Sequence, residues 1–108
     1  MNPSKIHFMQ SSAKNTTGDY TVLGNAKSLS TNSLDANVLR VKIWKDTSGK
    51  IWSLDHRRLA AFKISKKCVP YTWATPAEVK SQMWKMTTKN GGTSIRIKMA
   101  DGKSIIVK

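Results

Sequence analysis

Two periods of hydrophobic positions organise this chain. "KIHFM" (5–9) sets Ile6 and Phe8 against Lys5 and His7 with the period of two of a half-buried strand. "LRVKIW" (39–44) and "KIWSL" (50–54) repeat that alternation on either side of "KDTSGK", whose Gly49 supplies the positive φ of a hairpin. At Arg58 the period changes. Leu59 and Phe62 follow at helical spacing with Ala60 and Ala61 between them, which predicts a helix over 56–66 with Asp55 as its N-cap. "CVPYTW" (68–73) reads as a strand that Pro70 confines to an edge or an end.

The clearest boundary opens "TPAEVKSQMWKM" (75–86), where Thr75, Pro76 and Glu78 occupy the N-cap, N1 and N3 positions of a capping box. Val79, Met83 and Met86 are its expected buried stripe. "VLGNAKSLS" (22–30) predicts a short helix with Val22, Leu23, Ala26 and Leu29 on one face, weakened by Gly24. "QSSAKNTTGDY" (10–20) reads as a loop, and "TSIRIKM" (93–99) with "KSIIVK" (103–108) as a closing hairpin. The expected order is β-α-β-β-α-β-α-β-β, an α+β fold with one small mixed sheet and two or three helices.

At 108 residues the chain is expected to form one domain, 1–108, and its immediate strand-like start suggests a domain excised from a longer protein. Four tryptophans and 39% apolar residues point to a folded globule with a modest core. Charge changes the picture more. Nineteen Lys/Arg against six Asp/Glu give +13, and twelve of the nineteen bases follow residue 54, so the second half is expected to face a polyanion. A lone cysteine, Cys68, excludes an intrachain disulfide and reads as a small core residue. No stretch approaches the roughly 20 apolar residues of a membrane-spanning helix, and the first residues are expected to be a strand rather than a signal peptide.

"SLDHRRLAAF" (53–62) concentrates the candidate chemistry. A helix N-terminus offers free N–H groups and partial positive charge to an anion, and Arg57 and Arg58 add planar donors suited to phosphate. Two arginines oppose the helix dipole there, a placement that an anion compensates; simple capping and solvation is the alternative. The carboxylates Asp19, Asp35, Asp46, Asp55, Glu78 and Asp101 are scattered, and no His/Cys/Asp group has ligand spacing, so the expectation is metal-independent chemistry with no cofactor. RNA permits that, because its 2′-OH is an internal nucleophile. His56, with an ordinary pKa near neutrality, is the leading general acid/base, acting with Asp55, Arg57 and Arg58; a solvent-facing His56 is the alternative. His7 is the candidate for a second histidine. Gln10, Ser11, Ser12, Thr87, Thr88 and Lys89 are candidate substrate contacts, with Gly91 and Gly92 allowing close backbone approach. All four tryptophans are expected in the core, with Trp73 or Trp84 the alternative stacking platform for an unpaired base.

The block from Val41 to Val79 resembles the ParB/sulfiredoxin-like fold, in which a Gly-Glu-Arg-Arg or Gly-Cys-His-Arg motif at a helix start binds nucleotide phosphates. Asp55, His56, Arg57 and Arg58 match that motif, with Asp55 where both families have Gly, so a ParB-like nucleotide-binding domain is one alternative. Closer is the resemblance to the C-terminal toxin domains of bacterial polymorphic toxins, including contact-dependent growth inhibition systems. It rests on "IHFMQSS" (6–12), "LDHRRLAAF" (54–62) and "MTTKNGGTSI" (86–95), in that order. That resemblance implies a ribonuclease cleaving tRNA, delivered from a secreted or cell-surface protein into the cytoplasm of a target cell. It implies a cognate immunity protein, expected to be acidic, and a host helper such as a translation factor. A non-catalytic nucleic-acid-binding module is the alternative from another class.

Overall fold

A computed structural model describes residues 1–18 and 20–108; Asp19, one of the scattered carboxylates, lies outside them. The strands are β1 (Ile6–Phe8), β2 (Ser12–Lys14), β3 (Thr16–Thr17), β4 (Tyr20–Thr21), β5 (Val41–Lys45), β6 (Ile51–Ser53), β7 (Tyr71–Trp73), β8 (Ile95–Lys98) and β9 (Ser104–Val107). The helices are α1 (Val22–Ser30), α2 (His56–Ser65) and α3 (Pro76–Gln82). The α+β class and every expected element are present.

The expected single sheet is two. One has the order β1-β6-β5-β7, with β5 and β6 antiparallel and the outer strands parallel to their neighbours. The other has the order β2-β8-β9, with β2 parallel to β8 and β8 antiparallel to β9. The chain passes from the first to the second through residues 9–11, inside the stretch expected to be a loop. β2 escapes the hydrophobic pattern because Ser12, Ala13 and Lys14 carry no apolar alternation; its partner strand β8 supplies it. A short ribbon, β3 with β4, completes that stretch.

One core joins both sheets. Ile6, Phe8, Val41 and Ile43 from the first meet Ile95, Ile97 and Val107 from the second, with α1 and α2 packed among them. α1 contributes Val22, Ala26 and Leu29, while Leu23 is exposed. α2 contributes Leu59, Ala60, Ala61 and Phe62, all fully buried, and its paired alanines leave room for α1 to lie close. Trp52 belongs to a smaller cluster with Met9 and Leu54, and Trp44 stacks on it across the hairpin at 6.2 Å. Asp46 anchors that hairpin, accepting from Ser48 N and Oγ, Lys50 N and Trp52 Nε1, which holds its carboxyl well below the usual carboxylate range.

Three expectations about burial fail in one region. α3 forms with the full capping box, but it ends at Gln82 in a 3₁₀ turn (Met83–Lys85) and buries none of its residues. Val79 and Met86 are half-buried and Met83 is exposed, so the stripe lies along the surface rather than in the core. Trp73 and Trp84 are exposed, and so is Cys68. The cause is topological: β7 is an edge strand exposed at all three residues, so the segment packed beside it has no second layer to cover it.

Gly92 is where two parts of the chain press together. Its φ is +75°, and an added Cβ would lie 2.5 Å from Phe8 O and 2.8 Å from the Trp52 ring. Its carbonyl accepts from Phe8 N at 3.0 Å, which seats the 86–92 turn against β1. Gly92→Ala is therefore expected to destabilise the fold by more than the roughly 1–3 kcal/mol of positive-φ strain alone. Gly102→Ala, at φ +85° with open space around it, carries only the strain. Thermal melts of the two variants check this: equal losses would show that the close contact at Gly92 is relieved without penalty.

Candidate nucleic-acid interface

The start of α2 opens into a cleft of about 840 Å³. Among the described residues its lining includes five cations, Lys14, Arg57, Arg58, Lys85 and Lys98, and one carboxylate, Asp55. Lys14 and Lys98 are directly paired across β2 and β8. Like charges in that register repel, and a bound anion relieves the repulsion. Gln10 and Ser12 line the same cleft, as do Gln82 and the exposed Trp84.

Both arginines are exposed yet held. Arg57 Nε donates to Lys14 O at 2.9 Å, and Arg58 Nη1 donates to Arg40 O at 2.8 Å. Each guanidinium spends one of its five N–H groups on a neighbouring backbone, and both residues line the cleft. Lys85 Nζ donates to Leu54 O, just before the helix. Asp55 is the N-cap by position, and its carbonyl accepts from Leu59 N. Its carboxylate makes no cap bond: Oδ2 accepts from Lys42 N at 2.8 Å, which turns the side chain from the helix towards β5.

His56 departs furthest from expectation. It is 5% exposed, and its Nε2 accepts from Met9 N at 3.1 Å. Its ring stacks on Phe8 at 6.5 Å between centroids. Burial, with Lys85 and Arg57 nearby, pushes its pKa down to about 3. The neutral ring therefore carries its proton on Nδ1 and has its one basic nitrogen occupied. His56 lines the cleft, with its Nε2 held by Met9 N and its basicity lowered in the folded chain. It lies too deep to be the solvent-facing residue that was the alternative. His7 does not complete a pair. It lies on the other side of β1 against Trp52, with Gly92 beside its Cβ.

The other expected contacts divide. Ser11 and Lys89 line a depression of about 350 Å³ that adjoins the cleft, since Ser12 and Lys98 line both. Thr87 and Thr88 serve the fold. Their N–H groups both donate to Met9 O, Thr87 Oγ1 accepts from Ser11 N, and Thr88 Oγ1 accepts from Gly92 N. Lys14, Lys98, Gln82 and Lys85 are cleft residues that the sequence did not single out, and Trp84, expected in the core, is exposed there as its alternative reading had it. Lys14 lies on β2, in the stretch expected to be a loop, Lys98 on the exposed face of the expected strand β8, and Gln82 and Lys85 at the end of α3 and in the turn after it. Among the described residues no three His, Cys, Asp or Glu side chains are grouped to hold a metal ion.

No protein-family model, curated protein or solved structure matches this chain. The reading of the cleft therefore rests on its own geometry and charge.

The buried neutral histidine makes stability pH-dependent with a definite sign. Between its ordinary 6.5 and about 3, the unfolded chain takes up a proton that folded His56 refuses, so stability falls as pH falls through that window. His7 is also lowered, by burial first and then by Lys50 and Lys63, and acts in the same direction. Replacing His56 with Gln keeps an acceptor for Met9 N and removes the titration. Melting temperatures from pH 7 to 4.5 should decline in the native chain and markedly less in His56→Gln. Parallel curves would remove the ring as the cause.

Proposed function

We propose that this domain is a metal-independent ribonuclease that holds an RNA backbone in the cleft at the start of α2. The supporting observation is the convergence of Arg57, Arg58, Lys85 and the opposed Lys14–Lys98 pair around a single carboxylate, Asp55, in one cavity. Backbone carbonyls fix both guanidiniums, so little side-chain freedom is lost when a phosphate arrives. The carboxylate of Asp55 takes the proton from a ribose 2′-OH, and that oxygen attacks the adjacent phosphorus. Arg57 and Arg58 stabilise the charge that builds on the phosphoryl oxygens. The Lys85 ammonium returns a proton to the departing 5′ oxygen, leaving a 2′,3′-cyclic phosphate.

A purified sample incubated with total RNA should give discrete fragments that persist in EDTA. Asp55→Asn keeps an acceptor for Lys42 N but no base, and should reduce cleavage by roughly 10²–10⁴-fold while RNA binding survives. Arg57→Ala and Arg58→Ala should weaken binding and flatten its dependence on salt by about one charge each. Cleavage that stops in EDTA, or that is untouched in Asp55→Asn, overturns the mechanism.

The second reading is an RNA-binding module without chemistry, and the occupied, neutral state of His56 favours it. Binding without fragments, in cells as well as in purified samples, would establish it.

The toxin part of the reading, with tRNA as substrate, delivery into a competing cell's cytoplasm and a host translation factor as helper, draws on the resemblance alone. The charge adds support for an acidic inhibitor. A cell making a +13 ribonuclease needs one, and a carboxylate surface over Arg57, Arg58 and Lys85 would block the cleft. Such a protein should associate more slowly as salt rises and compete with RNA. An inhibitor whose association ignores salt would count against this.

A further inference from the structure

The open face of the β2-β8-β9 sheet carries the cationic surface beyond the cleft. β8 turns Ile95 and Ile97 into the core and leaves Arg96 and Lys98 exposed. Register sets two cross-strand rows on that outer face: Lys14, Lys98 and Ser104 form one, and Ser12, Arg96 and Ile106 the other. The first row enters the cleft through Lys14 and Lys98. All three residues of the second line the adjoining depression of about 350 Å³. The rows are two residues apart along the strands, about 6.6 Å, close to the spacing of successive phosphates in an extended nucleic-acid strand.

That depression carries charge of one sign. Lys89, Arg96 and Lys98 line it, and among the described residues no carboxylate does. None of the three has a carboxylate partner, since the ion pair among the described residues joins Lys42 to Glu78. The walls are fixed from within the fold. Arg96 N donates to Ser11 O, Ser11 N donates to Thr87 Oγ1, and Asn90 Nδ2 donates to Ser94 Oγ. Three unpaired cations around one depression repel one another, and a phosphate among them removes that cost.

We infer that the depression is a second phosphate subsite, one nucleotide along the strand from the cleft. One phosphate sits on Lys14 and Lys98, and the next on Arg96 and Lys89. The inference rests on the RNA reading and gives it a footprint: two successive linkages require a bound segment of at least three nucleotides. Contacts of this kind hold the backbone in register and read no base.

The experiment follows the salt dependence of binding, by fluorescence anisotropy, to 2′-O-methyl octauridine and octaadenosine, which resist cleavage through the 2′ oxygen. Arg96→Gln and Lys89→Gln should each lower the slope of log affinity against log salt by about 0.7, the worth of one phosphate contact on a single strand. The loss should be the same on both octamers, as expected of a phosphate contact. Arg96→Lys should keep the native slope. So should Lys27→Gln on α1, an exposed lysine that lines neither cavity. An unchanged slope in either Gln variant overturns the subsite, as does an equal fall in Lys27→Gln or a loss confined to one octamer. A native chain that binds neither octamer instead overturns the RNA reading beneath it.

Discussion

A single buried hydrogen bond, from Met9 N to Nε2 of His56, ties the folded chain together at its most constrained point. Met9 lies where the chain leaves the first sheet for the second, and His56 is the first residue of α2. The bond needs an unprotonated nitrogen, and the surroundings enforce one: the ring is buried, and Lys85 and Arg57 both disfavour a further positive charge. Protonation would set two donors face to face in a site closed to water. Met9 O, on the same residue, accepts from Thr87 and Thr88 and so holds the 86–92 turn. One residue thus positions the helix, the strand break and the turn that seats Gly92 against Phe8.

The cleft inherits its rigidity from that junction. Its cations come from β2, β8, α2 and the turn after α3, and Arg57, Arg58 and Lys85 are held by backbone carbonyls. Arg57 is fastened to β2 and Arg58 to the residue preceding β5, so the two guanidiniums also brace the helix start against both sheets. The arginines are therefore structural and electrostatic at once. Lys14 opposite Lys98 is the reverse case, a pairing that works against the sheet and is tolerable only at an open, solvated or anion-filled surface.

Periodicity made the core strands and helices legible, because Ile6, Phe8, Val41, Ile43, Leu59 and Phe62 are buried at the spacing their elements require. The capping box at Thr75 was equally plain, since it is a local bond pattern. Local pattern cannot tell what lies opposite an element. The stripe of Val79, Met83 and Met86 has the form of a core face, and only the edge position of β7 leaves it uncovered. His56 shows the same gap at one residue: its identity and helix position were readable, but its burial depends on Met9 and Phe8, nearly fifty residues earlier. Gln10, Ser12, Asp55, Arg57 and Arg58 were found because their chemistry is explicit. Lys14, Lys98, Gln82 and Lys85 were not, because only the fold brings them to that cavity, and Trp84 was legible only as the alternative to a core residue.

The parallel pairing of β2 with β8 joins Ser12 to Arg96 and Lys14 to Lys98. A chain emerging from a ribosome makes β2 long before its partner exists, because α1, α2 and α3 all precede β8. Until then β2 has no sheet to join, Lys14 has no fixed place, and the floor of the cationic cleft is missing. Whatever the cleft does to a polyanion, a nascent chain cannot do it. The interval between synthesis and a complete cleft is set by topology: the α2 start is made first, and the strand that completes the floor beside it comes later.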